Sequence, residues 1–453
     1  MKDTIHFIGI GGSGMSALSQ IAVMEGRAVT GSDRDFDNGK NLVFKTALEK
    51  LGIRIFPQDG SGIDGETSEV AVSTAIEESN PEIAKARAVG AKLLHRSELL
   101  SHYVDSFRTV AVGGTSGKST VVGMIFTILE AAGLGPSVIT GGPLVALKER
   151  GLIGSAWRGK GRVLVIEADE SDGTIVKYHP MVGLLLNVSK DHKEVAEIKA
   201  VFRQFAGNVR KLYVNADDPE LSDFRAGAEL FGRSDSGFKI EDLKLEMFRS
   251  RFKLNGVEFI LPAPGLYNIE NALAAVSVAL DMGVKLELCA ESLGKYRGVQ
   301  RRFELAGETG GITVVDDYAH NPAKISAVLG ALHRGSARRV IAIYQPHGFS
   351  PTRHLRRELV DVFLNELKDN DVLMMPEIYY AGGTVARDIS SKDLVDEILA
   401  RGGTAFYFKQ RSEILASALQ LASPGDIFIV MGARDWTLSD FAKELFGAIK
   451  ARP

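Results

Sequence analysis

The segment Gly114-Thr115-Ser116-Gly117-Lys118-Ser119-Thr120 combines residue types at a spacing suited to phosphate chemistry. Its glycines let backbone amides wrap an anion, the Lys118 ammonium can neutralise β- and γ-phosphate charge, and the Ser119 hydroxyl can ligate Mg²⁺. The strict G-x-x-x-x-G-K-[ST] string is not met, because Val112 stands where the first glycine belongs. A phosphate loop that works with a metal also needs acids. Glu167-Ala168-Asp169-Glu170-Ser171-Asp172 follows an apolar run, and the carboxyl end of a buried strand is where α/β sheets bind ligands. Mg²⁺ takes few protein oxygens beside water and phosphate, so one or two of these acids suffice. Glu167 is the expected ligand, while Asp169 and Asp172 read as solvated loop acids. Asn187-Val188-Ser189-Lys190-Asp191-His192 follows another apolar run, which makes His192 either a ligand to the site or a surface imidazole.

A second glycine-rich turn, Gly9-Ile10-Gly11-Gly12-Ser13-Gly14, satisfies G-x-G-x-x-G between a strand pattern and a helix pattern. Amides at such a helix start can hold a pyrophosphate. Asp33 stands about 20 residues on, where a dinucleotide fold places its ribose-binding acid. The turn does not distinguish a dinucleotide from another diphosphate ligand. A nicotinamide dehydrogenase would account for it, but leaves residues 114–120 and 167–172 without a role.

Both turns require buried strands behind them. Short, β-branched-rich apolar runs recur at 5–8, 109–112, 163–166, 182–186, 212–214, 312–315, 340–344, 372–375 and 427–431. Runs apolar on successive residues suit parallel strands covered on both faces. Helical patterns such as 16–25 and 119–132 lie between them, so the fold class is wound α/β. Residues 249–261 (RSRFKLNGVEFIL) instead alternate polar and apolar around Asn255-Gly256, which predicts an antiparallel hairpin. Boundaries near 107 and 298 divide the chain into three domains, 1–107, 108–298 and 299–453. The first and last are expected to be Rossmann-like and the central one a P-loop-type ATP-binding α/β domain.

With 453 residues the chain is long enough for about three domains. Lys and Arg number 54 against 57 Asp and Glu, so no global basic field gathers nucleic acid or an anionic membrane. The single cysteine, Cys289, excludes an intramolecular disulfide framework and a multi-cysteine metal site. No apolar run approaches the roughly 20 residues that span a bilayer. A cytoplasmic protein acting on small molecules is expected; the sequence is silent on oligomeric state.

Taken in order, these strings resemble the Mur ligase family, the ATP-dependent amide ligases of peptidoglycan precursor synthesis. Residues 114–120 are similar to its G-T-x-G-K-[ST] phosphate loop, and 167–172 with Asp191-His192 to its metal-binding stations. Gly265-Leu266-Tyr267-Asn268-Ile269-Glu270-Asn271, with Ala274-Ala275, resembles the G-x-H-N-x-x-N-x-x-A-A segment. Arg301-Arg302-Phe303 and Asp316-Asp317-Tyr318-Ala319-His320-Asn321-Pro322 complete the order, which covers nearly the whole chain.

The resemblance implies that ATP with Mg²⁺ phosphorylates a carboxylate and that the acyl phosphate is then joined to an amine. Gly114, Thr115, Gly117, Lys118, Ser119 and Thr120 would hold ATP phosphates, Asn271 the adenine, Arg302 phosphate and Asp317 the ribose. Ser119, Glu167 and His192 would hold the metal; Lys118, Glu167, His192 and His320 would carry catalysis. Within the family, residues 9–16 (GIGGSGMS), 72–81 (VSTAIEESNP) and Gln345-Pro346-His347 with Arg353 resemble the branch that adds L-alanine to UDP-N-acetylmuramate. Gly11, Gly12, Ser13, Gly14 and Asp33 would then hold the UDP part, and Ser73 and Thr74 would line the nucleotide-sugar site with His95 and Arg96 at its rim. His347 and Arg353 would face the amino acid, whose carboxylate suits a charge-assisted hydrogen bond. Closure of the last domain over the middle one is expected to keep water from the acyl phosphate.

The chain also departs from the family pattern. Ser116, Tyr267 and Asn321 stand where histidines are usual, and Gly348 and Pro351 replace basic or polar residues beside the amino-acid station. The stretch after His192 is short. Lys199 stands near the place of a carbamylated lysine in several Mur ligases, or is a surface helix lysine. These departures keep a peptide-adding UDP-N-acetylmuramate ligase, a Mur-like ligase with another acceptor and a nucleotide-binding regulator as alternatives.

Overall fold

The structure is a computed structural model that describes residues 4–170, 173–189, 194–234, 236–334, 338–380, 386–435 and 437–452. The chain divides into two compact units. The first holds Met1–Lys244, Ser250–Pro262 and Leu266–Val299; the second holds Leu245–Arg249, Ala263–Gly265 and Gln300–Pro453.

Two wound sheets share the first unit. One is a parallel sheet in the order Arg54–Phe56, Ala28–Ser32, Thr4–Ile8, Thr67–Val72, Lys92–His95. The order in which its strands are laid down reverses at Thr4–Ile8, so the turn that follows this strand opens into the crevice where wound sheets bind ligands. Thr67–Val72 and Lys92–His95 are not among the apolar runs singled out above. Ser68, Glu69, Lys92 and His95 interrupt their apolar pattern; Lys92–His95 is the edge strand, which is only partly covered.

The larger sheet runs Glu229–Phe231, Lys211–Asn215, Val182–Leu185, Arg108–Gly113, Val163–Glu167, Ser137–Ile139, Ala156–Trp157, with only the last pair antiparallel. Arg108–Gly113 is central. In register, Gly113 pairs with Leu185 on one side and Val112 with Glu167 on the other. The loops leaving all three strands therefore emerge side by side. Helix Lys118–Ala131 packs its apolar side over this sheet, with Val121, Val122, Met124, Ile125, Ile128 and Leu129 all buried. A continuous apolar cluster joins Ile5 and Leu18 of the first sheet's layer to Ile166, Phe202 and Phe205 of the second. Gln20 Nε2 donates to Ser155 Oγ at 2.9 Å and Arg158 pairs with Glu25 at 3.1 Å across that junction.

The expected hairpin is present. Ser250–Leu254 pairs antiparallel with Val257–Leu261, and Asn255 and Gly256 turn between them with φ of 48° and 86°. Positive φ at both turn residues is the primed geometry whose twist matches the strands.

The second unit carries a six-stranded sheet in the order Glu304–Thr309, Ile312–Asp317, Ile427–Gly432, Val340–Gln345, Val372–Pro376, Ala405–Phe408; only the first pair is antiparallel. Its four central strands are almost wholly buried, as their uninterrupted apolar runs require. Among the described residues no helix is long and apolar enough to cross a membrane.

Candidate active site

The phosphate loop leaves Arg108–Gly113 and enters helix Lys118–Ala131. Gly114 and Gly117 have φ of 148° and 85°, conformations that glycine adopts without steric cost. A Cβ on Gly117 would lie 2.6 Å from Asn271 Oδ1, so this close approach also demands glycine. Asn271 thereby stands against the loop, on helix Leu266–Asp281, where its Nδ2 donates to Asn268 Oδ1 at 3.3 Å.

Asn187, at the exit of the neighbouring strand, braces the other arm. Its Oδ1 accepts from the Ser116 amide and the Thr115 hydroxyl, each at 2.9 Å, and its Nδ2 donates to the Ser116 carbonyl at 3.1 Å. The Ser189 amide adds a 3.0 Å bond to Thr115 Oγ1. Ser116, one of the departures from the family pattern, is thus held through its backbone.

On the opposite flank Lys118 Nζ meets Glu170 Oε2 at 2.6 Å and Asp169 Oδ1 at 3.5 Å. Burial opposes the Lys118 charge, but Glu170 and Asp169 outweigh it and hold the ammonium above the ordinary lysine range. Burial raises the Glu170 carboxyl. Asp169 is exposed, as the solvated reading expects, whereas Glu170 is buried.

Glu167 Oε1 accepts from the Thr140 hydroxyl and, at 2.8 Å, from the Gly141 amide. A Cβ on Gly141 would lie 3.3 Å from Glu167 Oε2, and one on Gly142 would lie 3.2 Å from Ser119 Oγ. Two hard oxygens therefore flank the same pair of glycines, a donor set that fits Mg²⁺. His192, with Asp191 and Asp172, lies outside the described residues. Thr140, Gly141, Gly142, Glu170 and Asn187 are the parts of this arrangement that sequence reasoning left without a role. A Thr-Gly-Gly string after an apolar run was the available signal for the first three.

In the first turn, Ser32 O accepts from the amides of Gly9 and Ile10 at 2.8 and 3.0 Å. Asp33 accepts from the Gly11 amide at 2.8 Å and from the Asp35 amide at 2.9 Å. Desolvation raises the Asp33 carboxyl despite those bonds. Gly12 precedes helix Ser13–Met24, whose start has no side-chain cap, and first-turn amides of a helix favour an anion. A Cβ on Gly14 would stand 2.9 Å from Arg96 Nη1, so a guanidinium lies over the start of this helix. Ser73 and Thr74 follow strand Thr67–Val72, and Ile76 of that loop would touch a Cβ on Gly9 at 3.3 Å. His95 caps helix Arg96–Ser106 and so is fixed beside Arg96.

The remaining residues lie in the second unit. Arg302 is exposed and faces Asp317, which is buried and accepts from the amides of Phe303 and Ala319 at 2.6 and 2.7 Å. Burial nevertheless pushes the Asp317 carboxyl up to about 6, with Arg302 pulling the other way. His320 Nδ1 is 2.8 Å from the Tyr318 carbonyl and must donate to it, so in the neutral imidazole Nε2 is the nitrogen that carries the lone pair. The His320 and His347 rings meet edge-on at 5.2 Å. Arg353 has an internal partner: its Nη2 bonds Asp388 and donates to the Ala386 carbonyl at 3.2 Å. Gly348 has φ of 71°, and a Cβ there would lie 3.3 Å from Pro351 Cδ, so these two departures fit one another. Asn321 caps helix Pro322–His333 by accepting from the Lys324 amide at 3.0 Å.

Lys199 pairs with Asp223 at 3.0 Å and Glu220 at 3.5 Å. The Asp223 hydrogen bond leads in holding its ammonium above the usual range, which works against the neutral amine that carbamylation needs.

The fold that carries the braced glycine-rich loop, the oxygen pair beside it and the second glycine-rich turn is matched by known proteins. Residues 4–108 match the Mur ligase family catalytic domain, 112–279 the Mur ligase middle domain and 301–434 the Mur ligase glutamate ligase domain. The chain belongs to the Mur ligase family and is an ATP-dependent ligase of peptidoglycan precursor synthesis. It is 35% identical to the UDP-N-acetylmuramate–L-alanine ligase of Pelotomaculum thermopropionicum over 96% of this chain and 95% of that protein. It is 34% identical to the ligase of the same name from Agrobacterium fabrum over 96% and 94%. Among solved structures, the UDP-N-acetylmuramate-alanine ligase of Thermotoga maritima superposes with a TM-score of 0.78 at 26% identity, covering 98% of this chain and 99% of that one. Family membership removes the nicotinamide dehydrogenase alternative.

Proposed function

We propose that the protein joins L-alanine to the carboxylate of UDP-N-acetylmuramate at the expense of ATP, in the cytoplasm. The observation that carries this reading is the similarity to L-alanine ligases along 96% of the chain. In the reaction the acyl carboxylate attacks the γ-phosphorus and ADP leaves. The amine then attacks the acyl phosphate carbonyl, and the tetrahedral intermediate expels phosphate.

Lys118 and the loop amides hold the phosphates in line and spread their charge, which is the main contribution a protein makes to phosphoryl transfer. Ser119 and Glu167 would hold Mg²⁺, with His192 as the third ligand; when bound, the ion supplies positive charge to the β- and γ-phosphates. Thr140 and Gly141 orient Glu167 for that task. Asn271, Arg302 and Asp317 are assigned to the nucleoside and phosphates, and His320 Nε2 to the proton released by the attacking amine. Gly11, Gly12, Ser13, Gly14, Ser73 and Thr74 are assigned to the UDP-sugar, with Asp33 fixing the turn and Arg96 facing the diphosphate. His347 and Arg353 are assigned to the amino acid.

One observation supports a second reading, in which the added group is a peptide. Arg353 is already paired with Asp388, and Gly348 and Pro351 carry no charge, so this station offers little to a lone amino-acid carboxylate. Phosphate release from Mg-ATP with UDP-N-acetylmuramate, measured against single amino acids and short peptides, separates the two. Release that requires L-alanine is expected; release only with a peptide moves the assignment to the second reading.

A further inference from the structure

Arg301 is a charged side chain that solvent does not reach, in a chain where its neighbour Arg302 is exposed. Each nitrogen of its guanidinium has an acceptor within the second unit. Nε donates to Asp316 Oδ1 at 3.2 Å, Nη1 to the Asp435 carbonyl at 3.0 Å and Nη2 to the Gly432 carbonyl at 2.7 Å. Asp316 is held in turn by the Ser439 hydroxyl at 2.6 Å, and Asp435 by Arg411 at 2.8 Å. The guanidinium thus ties the start of the Gln300–Pro453 segment to the carboxyl ends of two adjacent inner strands of its sheet, Ile312–Asp317 and Ile427–Gly432.

The backbone at this point is unusual. Arg301 and Phe303 have φ of 59° and 51°, left-handed conformations that non-glycine residues rarely hold unless their surroundings impose them. Arg302 sits between them. The same conformation lets the Arg301 carbonyl accept from the Tyr318 amide at 2.7 Å and the Phe303 amide donate to Asp317 at 2.6 Å. Both guanidinium groups lie against the Tyr318 ring, at 5.2 and 5.4 Å.

We propose that Arg301 is a positioning residue for the nucleotide: its buried guanidinium holds residues 301–303 in the left-handed path that presents Arg302 and Asp317 together. The proposal rests on the assignment of Arg302 and Asp317 to ATP. Removing the guanidinium lets the segment relax to an ordinary backbone, which turns Arg302 away and withdraws the Phe303 amide from Asp317.

The test compares Arg301→Ala, Arg301→Lys, Ser439→Ala and Arg302→Ala in the full chain, with thermal melting as a fold check. Arg301→Ala is expected to raise the KM for ATP by ~10-fold or more, the scale of a lost charged hydrogen bond, while the KM for UDP-N-acetylmuramate stays unchanged. Millimolar guanidinium ion should restore part of the ATP affinity to this variant and do nothing for Arg302→Ala. Ser439→Ala, which removes one outer bond and keeps the arginine, should raise the KM for ATP by a few-fold in a normally folded protein. Equal rises in both KM values with a lowered Tm, or unchanged ATP affinity in folded Arg301→Lys and Ser439→Ala, would overturn the proposal. An unchanged KM for ATP in Arg302→Ala overturns the underlying assignment of Arg302, whatever the Arg301 variants do.

Discussion

Lys118 Nζ lies 2.6 Å from Glu170 Oε2, so the cation of the phosphate loop is held by an internal, buried acid. A phosphate arriving at the loop must replace or share that partner. Glu170→Gln removes the like-charge opposition while keeping the side chain's volume. Mg²⁺-free ATP should then bind several-fold more tightly, about 1 kcal/mol by titration calorimetry. Weaker binding would show instead that Glu170 positions Lys118 for the phosphate.

Gly117→Ala places a methyl group where Asn271 Oδ1 already lies and forces a left-handed alanine, a conformation costing ~1–2 kcal/mol by itself. The expected result is at least a ~10-fold loss in kcat/KM for ATP. UDP-N-acetylmuramate binding, read by calorimetry, should not change. An active variant with normal ATP kinetics would remove the loop from the reaction.

Asp33→Ala deletes the acceptor for two turn amides, those of Gly11 and Asp35. Hydrogen bonds to a charged group contribute about 1.5–3 kcal/mol, so the KM for UDP-N-acetylmuramate should rise roughly 10- to 100-fold. The KM for ATP is the internal control. A rise in the ATP value alone would reverse the assignment of the two glycine-rich turns.

With Asp317 assigned to ATP, nucleotide binding is expected to depend on pH. Its carboxyl is pushed up by burial to about 6, from an ordinary value of 3.8, so it is protonated below that pH and loses its charge toward a ribose hydroxyl. The KM for ATP should therefore climb as pH falls through about 6, and Asp317→Asn should flatten that profile. Stability moves the opposite way. An acid whose pKa is raised in the folded state favours folding as pH drops from about 6 toward 3.8. A denaturant series across this range should show that contribution in the parent and not in Asp317→Asn.

Legibility followed the reach of the forces involved. The strands at 109–112, 163–166 and 427–431 were readable because a strand buried on both faces must be apolar at every residue. The gathering of Lys118, Ser119 and Glu167 around one loop was readable because a glycine-rich turn between strand and helix, beside an acid-tipped strand, restricts both residue type and spacing. The hairpin was readable because Asn255-Gly256 accepts two positive φ values. Asn187 and Glu170 were not. Each acts through a loop from a strand adjacent in the sheet but distant in the chain, and nothing in Asn-Val-Ser or in one of four nearby acids marks which side chain turns inward. Arg301 and Arg302 look alike in sequence, yet one is the most buried arginine of its unit's site and the other is exposed.

The sequence by itself determined the order of the two glycine-rich turns, the wound α/β class and the family, since these depend on local spacing and on apolar runs. Only the tertiary structure decided that the first two sheets share one continuous core, because the Ile5 to Phe205 cluster is assembled across elements with no sequence proximity. It also decided that Arg353 faces Asp388, that Asn271 stands against Gly117, and that Glu167 is aimed by Thr140 and Gly141. Those relationships depend on strand register and on which loops leave neighbouring strands together, and register is set by the packing of the whole sheet.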